Sequence, residues 1–468
     1  RGDISSIIKQ KNDYYIGFKS SGLIQLKYLP DSKVKYAIQS INIQSGIFCL
    51  MKDRFQDIIW IGADGQGIYM YFTDEFSIEN VLLDVPEYRV NNPVRALFLD
   101  HEQTLWIGTK GGGILRMMDF HPDRETLPQA ERILANNSAL MDNSVYSFAP
   151  GRRNSLWIGT EDGLNYYSYL TRRIEEFPVI ADGKKVKYVH SICETNDSTL
   201  WVVSAGEGIV KITLEASSSL PKVKSAQRFT LDGGKRNSNY FFVSYQENDS
   251  TIWFGNRGYG AYKMNTRTNQ LTPCRIDDVV KNQTVNDIFA IHKNDEGYWF
   301  GTSFGLTRLY QGEYRVYNET DGFPNNTIHG ILEGRDNNLW LSTNQGMVRF
   351  NVRENTVQTY RQQGDLEVIE FSDGAFFKDQ QTGTLFFGGT NGFITITEND
   401  HMSEEYMPPL HFNRLSIFGK ECNIYDFLQG PKQETLVLDY SQNFFNLSFL
   451  AVDYINGNNY TYSYKIDG

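Results

Sequence analysis

Two short stretches of this chain bring cations and aromatic rings together in a way that suits an anionic oligosaccharide. Lys184, Lys185, Lys187, Tyr188 and His190 lead into one apolar run, and Lys235, Arg236, Asn239 and Tyr240 lead into the next. Guanidinium and ammonium groups pair with the carboxylate or sulfate of an acidic sugar, while aromatic faces offer a surface for stacking. From Arg152 to Arg236 there are thirteen Lys and Arg against ten Asp and Glu, a local positive excess in a chain of net charge −11. The ligand-binding set drawn from this region is Lys187, Tyr188, His190, Lys235, Arg236, Asn239 and Tyr240. The competing account is a solvated loop surface that happens to be basic. Arg152, Arg153, Arg172 and Arg173 fit that account, as turn and outer-strand charges.

Other chemistry finds little footing. Cys49, Cys193, Cys274 and Cys422 contain no CxxC pair, and the seven histidines show no spacing that would set two metal ligands on one face. Neither a metal nor another cofactor is expected. No GxSxG elbow or phosphate-cradling glycine loop occurs. Asp100, Asp197, Asp295 and Asp336 recur at equivalent turns, which marks them as turn formers rather than catalytic acids, so no catalytic residue is assigned and the fragment is read as non-enzymatic.

The elements that position the candidate residues come from a repeat. All seven tryptophans fall in one phrase: Trp60-Ile-Gly62, Trp106-Ile-Gly108, Trp157-Ile-Gly159, Trp201-Val-Val203, Trp253-Phe-Gly255, Trp299-Phe-Gly301 and Trp340-Leu-Ser342. Tyr15-Ile-Gly17 and Phe386-Phe-Gly388 add two copies with another aromatic, and the spacing runs from 41 to 52 residues. That is the period of a propeller blade. Within a copy, short apolar runs separated by polar or glycine turns read as four strands, and a second glycine, such as Gly113 or Gly346, suits a left-handed turn position. The tryptophans are expected between blades as packing, because ligand contacts seldom recur identically in every repeat. Binding needs asymmetry, and the residue eleven before the tryptophan varies: Arg95, Tyr146, His190, Phe242, Ile288 and His329. Those positions and the loops before them are expected near the channel mouth, where propellers commonly bind ligands.

After Phe386 a polar segment, Glu398 to Pro409, breaks the period. Beyond it, runs at Leu410 to Phe418, Glu434 to Leu438, Phe444 to Phe449 and Tyr460 to Ile466 have the spacing of sandwich strands. The acidic balance without a basic stripe argues against nucleic-acid binding by this portion. No apolar stretch approaches the roughly 20 residues that span a bilayer. The missing initiator methionine and the stop at Gly468 are read as marks of a piece of something longer.

The repeat around Asp336-Asn-Asn-Leu-Trp340 to Gly346, its linker Asp321-Gly-Phe-Pro-Asn-Asn326 and the tail Asn443 to Phe449 with Tyr460 to Gly468 resemble one family. It is the periplasmic sensor regions of bacterial hybrid two-component systems that regulate polysaccharide use. The resemblance implies regulator-propeller repeats followed by a tyrosine-rich immunoglobulin-like domain. It also implies a periplasmic location and an oligosaccharide ligand. A homodimer is implied too, with a membrane helix, a histidine kinase and a DNA-binding regulator outside this chain. The resulting expectation is an all-β chain: residues 1–88 as two blades of an upstream propeller, 89–402 as a seven-bladed propeller, and 403–468 as the start of an Ig-like β-sandwich. A single ring of eight or nine blades is the lesser alternative. Against the sensor reading stand a propeller scaffold for protein partners and a polysaccharide hydrolase or lyase.

Overall fold

The computed structural model describes residues 2–455 apart from 30–32, 42, 44, 73–75, 123–127, 197, 217–219, 232, 234–237, 275, 277–282, 362–365, 369, 399–405 and 431–434. The described residues form strands and short 3-10 turns with no α-helix, and none is long and apolar enough to cross a membrane as a helix. There are two compact units, Phe76–Asn399 and a second made of Arg1–Glu75 with Asp400–Gly468.

The first unit is a seven-bladed β-propeller. Its seven antiparallel four-stranded sheets, blades 1 to 7, have as inner strands Val94–Leu99, Val145–Gly151, Val189–Asn196, Phe241–Asn248, Ile288–Asn294, Ile328–Glu333 and Phe371–Lys378. Each inner strand packs beside the next, and that of blade 7 packs beside that of blade 1, so the ring closes. The repeat explains why. A side chain at Gly108 would place its Cβ 2.8 Å from Val145 Cγ1 of the following blade, and one at Gly388 would lie 2.5 Å from Val94 Cγ1. The glycine after the aromatic is thus the contact by which one blade seats on its neighbour.

The outer strand of blade 7 comes from the start of the unit. Phe76–Leu82 pairs antiparallel with Gly392–Glu398, from Leu82 opposite Gly392 to Phe76 opposite Glu398. Repeat counting leaves this strand with the upstream blades and divides the chain at 88. It cannot see the difference, because the strand carries no aromatic-glycine phrase and its partner lies some 300 residues away in sequence.

Trp106, Trp157, Trp201, Trp299 and Trp340 are at most 1% exposed and Trp253 is 5% exposed. They sit between blades: Trp106 packs with Val145, Leu156 and Ile158 of the next blade, and Trp299 with Ile328 and Leu339. Burial on this scale makes each worth about 3–5 kcal/mol against truncation to alanine. The indole N–H needs an acceptor in such a place, and most find a carboxylate or amide oxygen, Trp157 on Glu194 and Trp340 on Glu398 of the neighbouring blade, while Trp201 Nε1 finds none among the described residues. Asp100 uses one oxygen to hold the backbone N–H groups of Glu102 and Thr104, and the other to accept from Trp106 Nε1 at 2.8 Å. Trp253 donates to Glu247, and Trp299 to Asn294, whose oxygen also takes the Glu296 N–H. Asp100 therefore anchors the packing as well as forming the turn.

In the second unit, the sheet Ile4–Gln10, Asp13–Phe18, Gly22–Tyr28, Tyr36–Ile41 and the sheet Ile47–Lys52, Ile58–Ala63, Gly67–Phe72 share a core of Tyr15, Leu23, Ile47, Ile59 and Ile61. A further sheet joins Lys420–Cys422, Leu410–Ile417 and Phe445–Ala451 around Leu415 and Ile417. The carboxy-terminal segment returns to the first residues: Gln56 Nε2 donates to Asp453 at 2.7 Å, and Trp60 meets Tyr454 edge-on at 5.1 Å. The tyrosine-rich run from Tyr460 lies outside the described residues.

Candidate ligand site at the propeller mouth

The inner strands share one irregularity. Val145 pairs with Thr160 and Ser147 with Gly159, leaving Tyr146 in a bulge. The same slip isolates His190, Phe242, Phe289 and His329, and Arg95 lies between the Val94–Thr109 and Ala96–Gly108 pairs. In blade 7 the irregular stretch runs from Phe371 to Phe376 and contains Asp373 and Gly374. A bulge re-aims a side chain out of the regular pleat. Repeated seven times, it places seven side chains in a girdle at one end of the channel.

Six of the seven successive girdle pairs meet. The Arg95 guanidinium lies 5.9 Å from the Tyr146 ring centre. Tyr146 and His190 stack at 4.4 Å and 12°, and His190 meets Phe242 at 4.9 Å. Phe289 lies 5.8 Å from His329, whose Nδ1 is 2.5 Å from Asp373 Oδ1 and whose Nε2 is 2.6 Å from Asn344 Oδ1. Asp373 returns to Arg95 at 3.9 Å. Gly374, at φ 76°, lies across the ring, its Cβ position 3.5 Å from the Arg95 carbonyl oxygen and 3.8 Å from that of Tyr146. The girdle thus divides into an aromatic arc, Tyr146 to Phe289, and a polar arc, His329 to Arg95.

Electrostatics follow this division. Burial, reinforced by the Arg95 charge, pushes His190 down to about 3, so its ring is neutral at ordinary pH. Burial and the neighbouring Glu161, to which Tyr146 donates at 3.1 Å, push the Tyr146 hydroxyl up to about 12. Burial raises Asp373, yet the hydrogen bond from His329 and the charges of Arg95 and Arg257 outweigh it and hold the carboxyl below its usual range.

The residues singled out from sequence meet different fates. Tyr188 and Tyr240 both pair through their backbones with Ala205, and His190 and Tyr240 both lie beside Phe242. Tyr188 precedes the blade 3 inner strand at φ 53°, a costly conformation for a bulky residue, fixed by Tyr188 N–H to Glu161 O at 2.8 Å and Ala205 N–H to Tyr188 O at 3.0 Å. Tyr240 stacks on Phe242 at 6.4 Å. Lys187 is engaged: Lys185 and Lys187 both close on Asp162, at 2.6 and 2.7 Å, and their hydrogen bonds lower that carboxyl. Asn239 is 1% exposed and clasps its own loop, accepting from Leu231 N–H at 2.7 Å and donating to Leu231 O at 3.2 Å. Asn143 and Asn326 make the equivalent clasp, so the asparagine belongs to the repeat. Lys235 and Arg236 lie outside the described residues.

Sequence reasoning overlooked Phe289, Asp373 and Asn344. The hairpin after the blade 5 inner strand is one residue shorter, with Asn294 opposite Gly297, so the girdle residue stands ten before the tryptophan and the count falls on Ile288. In blade 7 the extended irregularity puts Asp373 thirteen residues before Phe386.

Three segments, 89–111, 139–162 and 322–345, match the family described as two component regulator propeller. Each runs through a girdle position, at Arg95, Tyr146 and His329. A relative, Histidine kinase P4 from Formosa agariphila, is 23% identical over 399 residues, covering 81% of this chain and 28% of that protein. The extracellular domain of the putative hybrid two component system BT3049 from B. thetaiotaomicron is similar in structure, with a TM-score of 0.61, 23% identity, and coverage of 97% of this chain and 60% of that one. That of BT4673 from the same organism gives 0.56, 19%, 95% and 60%. The chain therefore spans a minority of the kinase and three fifths of the solved chains. It carries two-component regulator propeller repeats.

Proposed function

We propose that this chain is the ligand-sensing portion of the periplasmic region of a hybrid two-component sensor. It binds an oligosaccharide at the propeller mouth and passes the event, as a homodimer, to kinase and DNA-binding segments elsewhere in the longer protein. The observation that carries this reading is the girdle: a repeat that keeps its packing residues alike departs from itself at the seven positions turned toward the channel. The relatives support the signalling half, one named as a histidine kinase and two as extracellular domains of putative hybrid two component systems. Aromatic faces beside hydrogen-bonding and charged groups are what a sugar requires, with its apolar ring face and its hydroxyl edge. The ligand can act only through its preference for one state of the sensor, and tenfold activation asks about 1.4 kcal/mol of such preference.

Thermal unfolding against a panel of polysaccharide fragments tests the reading. A bound fragment at 100 times its Kd adds about 2.7 kcal/mol of stability, and Tyr240→Ala removes the effect. Fragments that leave the midpoint unmoved favour a protein-binding scaffold instead, and turnover of a fragment favours a hydrolase or lyase.

A further inference from the structure

The mouth holds two guanidiniums whose donors the fold leaves open. Arg95 comes no closer to Asp373 than 3.9 Å, an ion pair without a hydrogen bond, and its buried Nε has no partner. Arg257, exposed in the turn after the second strand of blade 4, donates its backbone N–H to Tyr240 O at 2.8 Å, while its side chain meets no acceptor among the described residues. His190 is sandwiched by Phe242 and by Tyr146, the ring beneath Arg95, with neither ring nitrogen hydrogen-bonded among the described residues. Asp373 faces both arginines and Glu161 holds the Tyr146 hydroxyl, and neither carboxylate makes a hydrogen bond to either guanidinium among the described residues. The lysines that sequence pointed to differ, because Asp162 already holds Lys185 and Lys187.

An unpaired donor in a largely buried place is costly to maintain, and an acceptor from outside restores its hydrogen bond. Guanidinium forks favour planar or tetrahedral oxyanions. We propose that Arg95, Arg257 and His190 form an oxyanion subsite in the propeller mouth, which takes a carboxylate or sulfate group carried on a sugar whose ring lies against Tyr240 and Phe242. The proposal rests on the mouth being the oligosaccharide site and adds the charge of the sugar and the residues that read it.

The test follows thermal unfolding of the chain in glucuronate, in a sulfated glucose and in glucose, with ionic strength matched by chloride. At least one of the two anions should raise the midpoint above glucose, and which one does so distinguishes a carboxylate from a sulfate ester. Arg257→Gln, at an exposed position, should weaken that anion by about tenfold, as should Arg95→Lys, which keeps the charge and loses the fork. Lys187→Gln should leave it unchanged. Equal response to all three compounds, or unchanged anion affinity in both arginine variants, overturns the subsite. Oligosaccharide binding that Tyr240→Ala removes but the arginine variants retain also overturns the subsite while the mouth reading stands, whereas failure of the whole fragment panel overturns that reading.

Discussion

His190→Phe is the substitution that isolates the electrostatics of the girdle. Burial, with help from Arg95, takes the His190 ring from the ordinary 6.5 down to about 3. Its folded-state pKa therefore lies below the unfolded one. Between those values the unfolded chain binds a proton on this ring that the folded chain refuses, so stability is fully present above about 6.5 and is lost as pH falls toward 3. The limiting slope is about 1.4 kcal/mol per pH unit, which amounts to roughly 2.5 kcal/mol between about pH 7.5 and about pH 4.5. Phenylalanine keeps a ring between Tyr146 and Phe242 and cannot titrate. The carboxylates shared by both proteins contribute alike to both curves, and the difference between the curves belongs to His190. Urea unfolding can be followed by tryptophan fluorescence, because six of the seven tryptophans belong to Phe76–Asn399. The wild type should lose roughly 2.5 kcal/mol more than His190→Phe over that interval. Equal losses would refute a buried neutral imidazole in the girdle.

Two further substitutions separate packing from recognition. Trp299→Ala should cost about 3–5 kcal/mol of propeller stability by the same assay, and a cost below about 1 kcal/mol would mean that the indole is not held between blades 5 and 6. Asn239→Ala leaves Leu231 N–H and Leu231 O without their partner, so it should cost roughly 1–3 kcal/mol and leave oligosaccharide affinity at the mouth unchanged; an affinity change without a stability change would return Asn239 to the ligand.

The fold was legible because its determinants repeat. An aromatic flanked by glycine every 41 to 52 residues names both the blade and its packing surface, and the tryptophans are where that period places them. The outer strand of blade 7 was not legible, since nothing in Phe76–Leu82 announces a partner at Gly392–Glu398. The site was legible in part, for a related reason. The position eleven before the tryptophan reaches Arg95, Tyr146, His190, Phe242 and His329, and it fails where a hairpin changes length, at Phe289, or where the bulge widens, at Asp373. The ion pairing of Lys187 was not legible, because composition cannot show that one carboxylate, Asp162, takes two lysines. Asn239 holds its own loop as Asn143 and Asn326 hold theirs, a role that shows in sequence only through the recurrence of the asparagine three residues before the girdle position.

The bulge is what lets a repetitive architecture carry a singular site. In a regular strand each side chain faces one neighbouring blade or the other, and the pressure that fixes Trp106 between blades and Gly108 against Val145 acts on every such position. A residue set off by a register slip escapes that pressure because it meets the channel and the bulges beside it. The seven positions can then differ without disturbing the stack. They do differ, as four aromatic or imidazole rings from Tyr146 to Phe289 and a histidine, a carboxylate and a guanidinium from His329 to Arg95. The same slip that frees them also crowds them, so from Phe289 through His329, Asp373, Arg95, Tyr146 and His190 to Phe242 a change at one is felt by the next through contacts of 2.5 to 5.9 Å. Occupation of the mouth on its polar side therefore bears on the strands of blades 6, 7 and 1 together. Blade 7 is the one whose last strand is completed by the residues that enter the propeller, Phe76–Leu82.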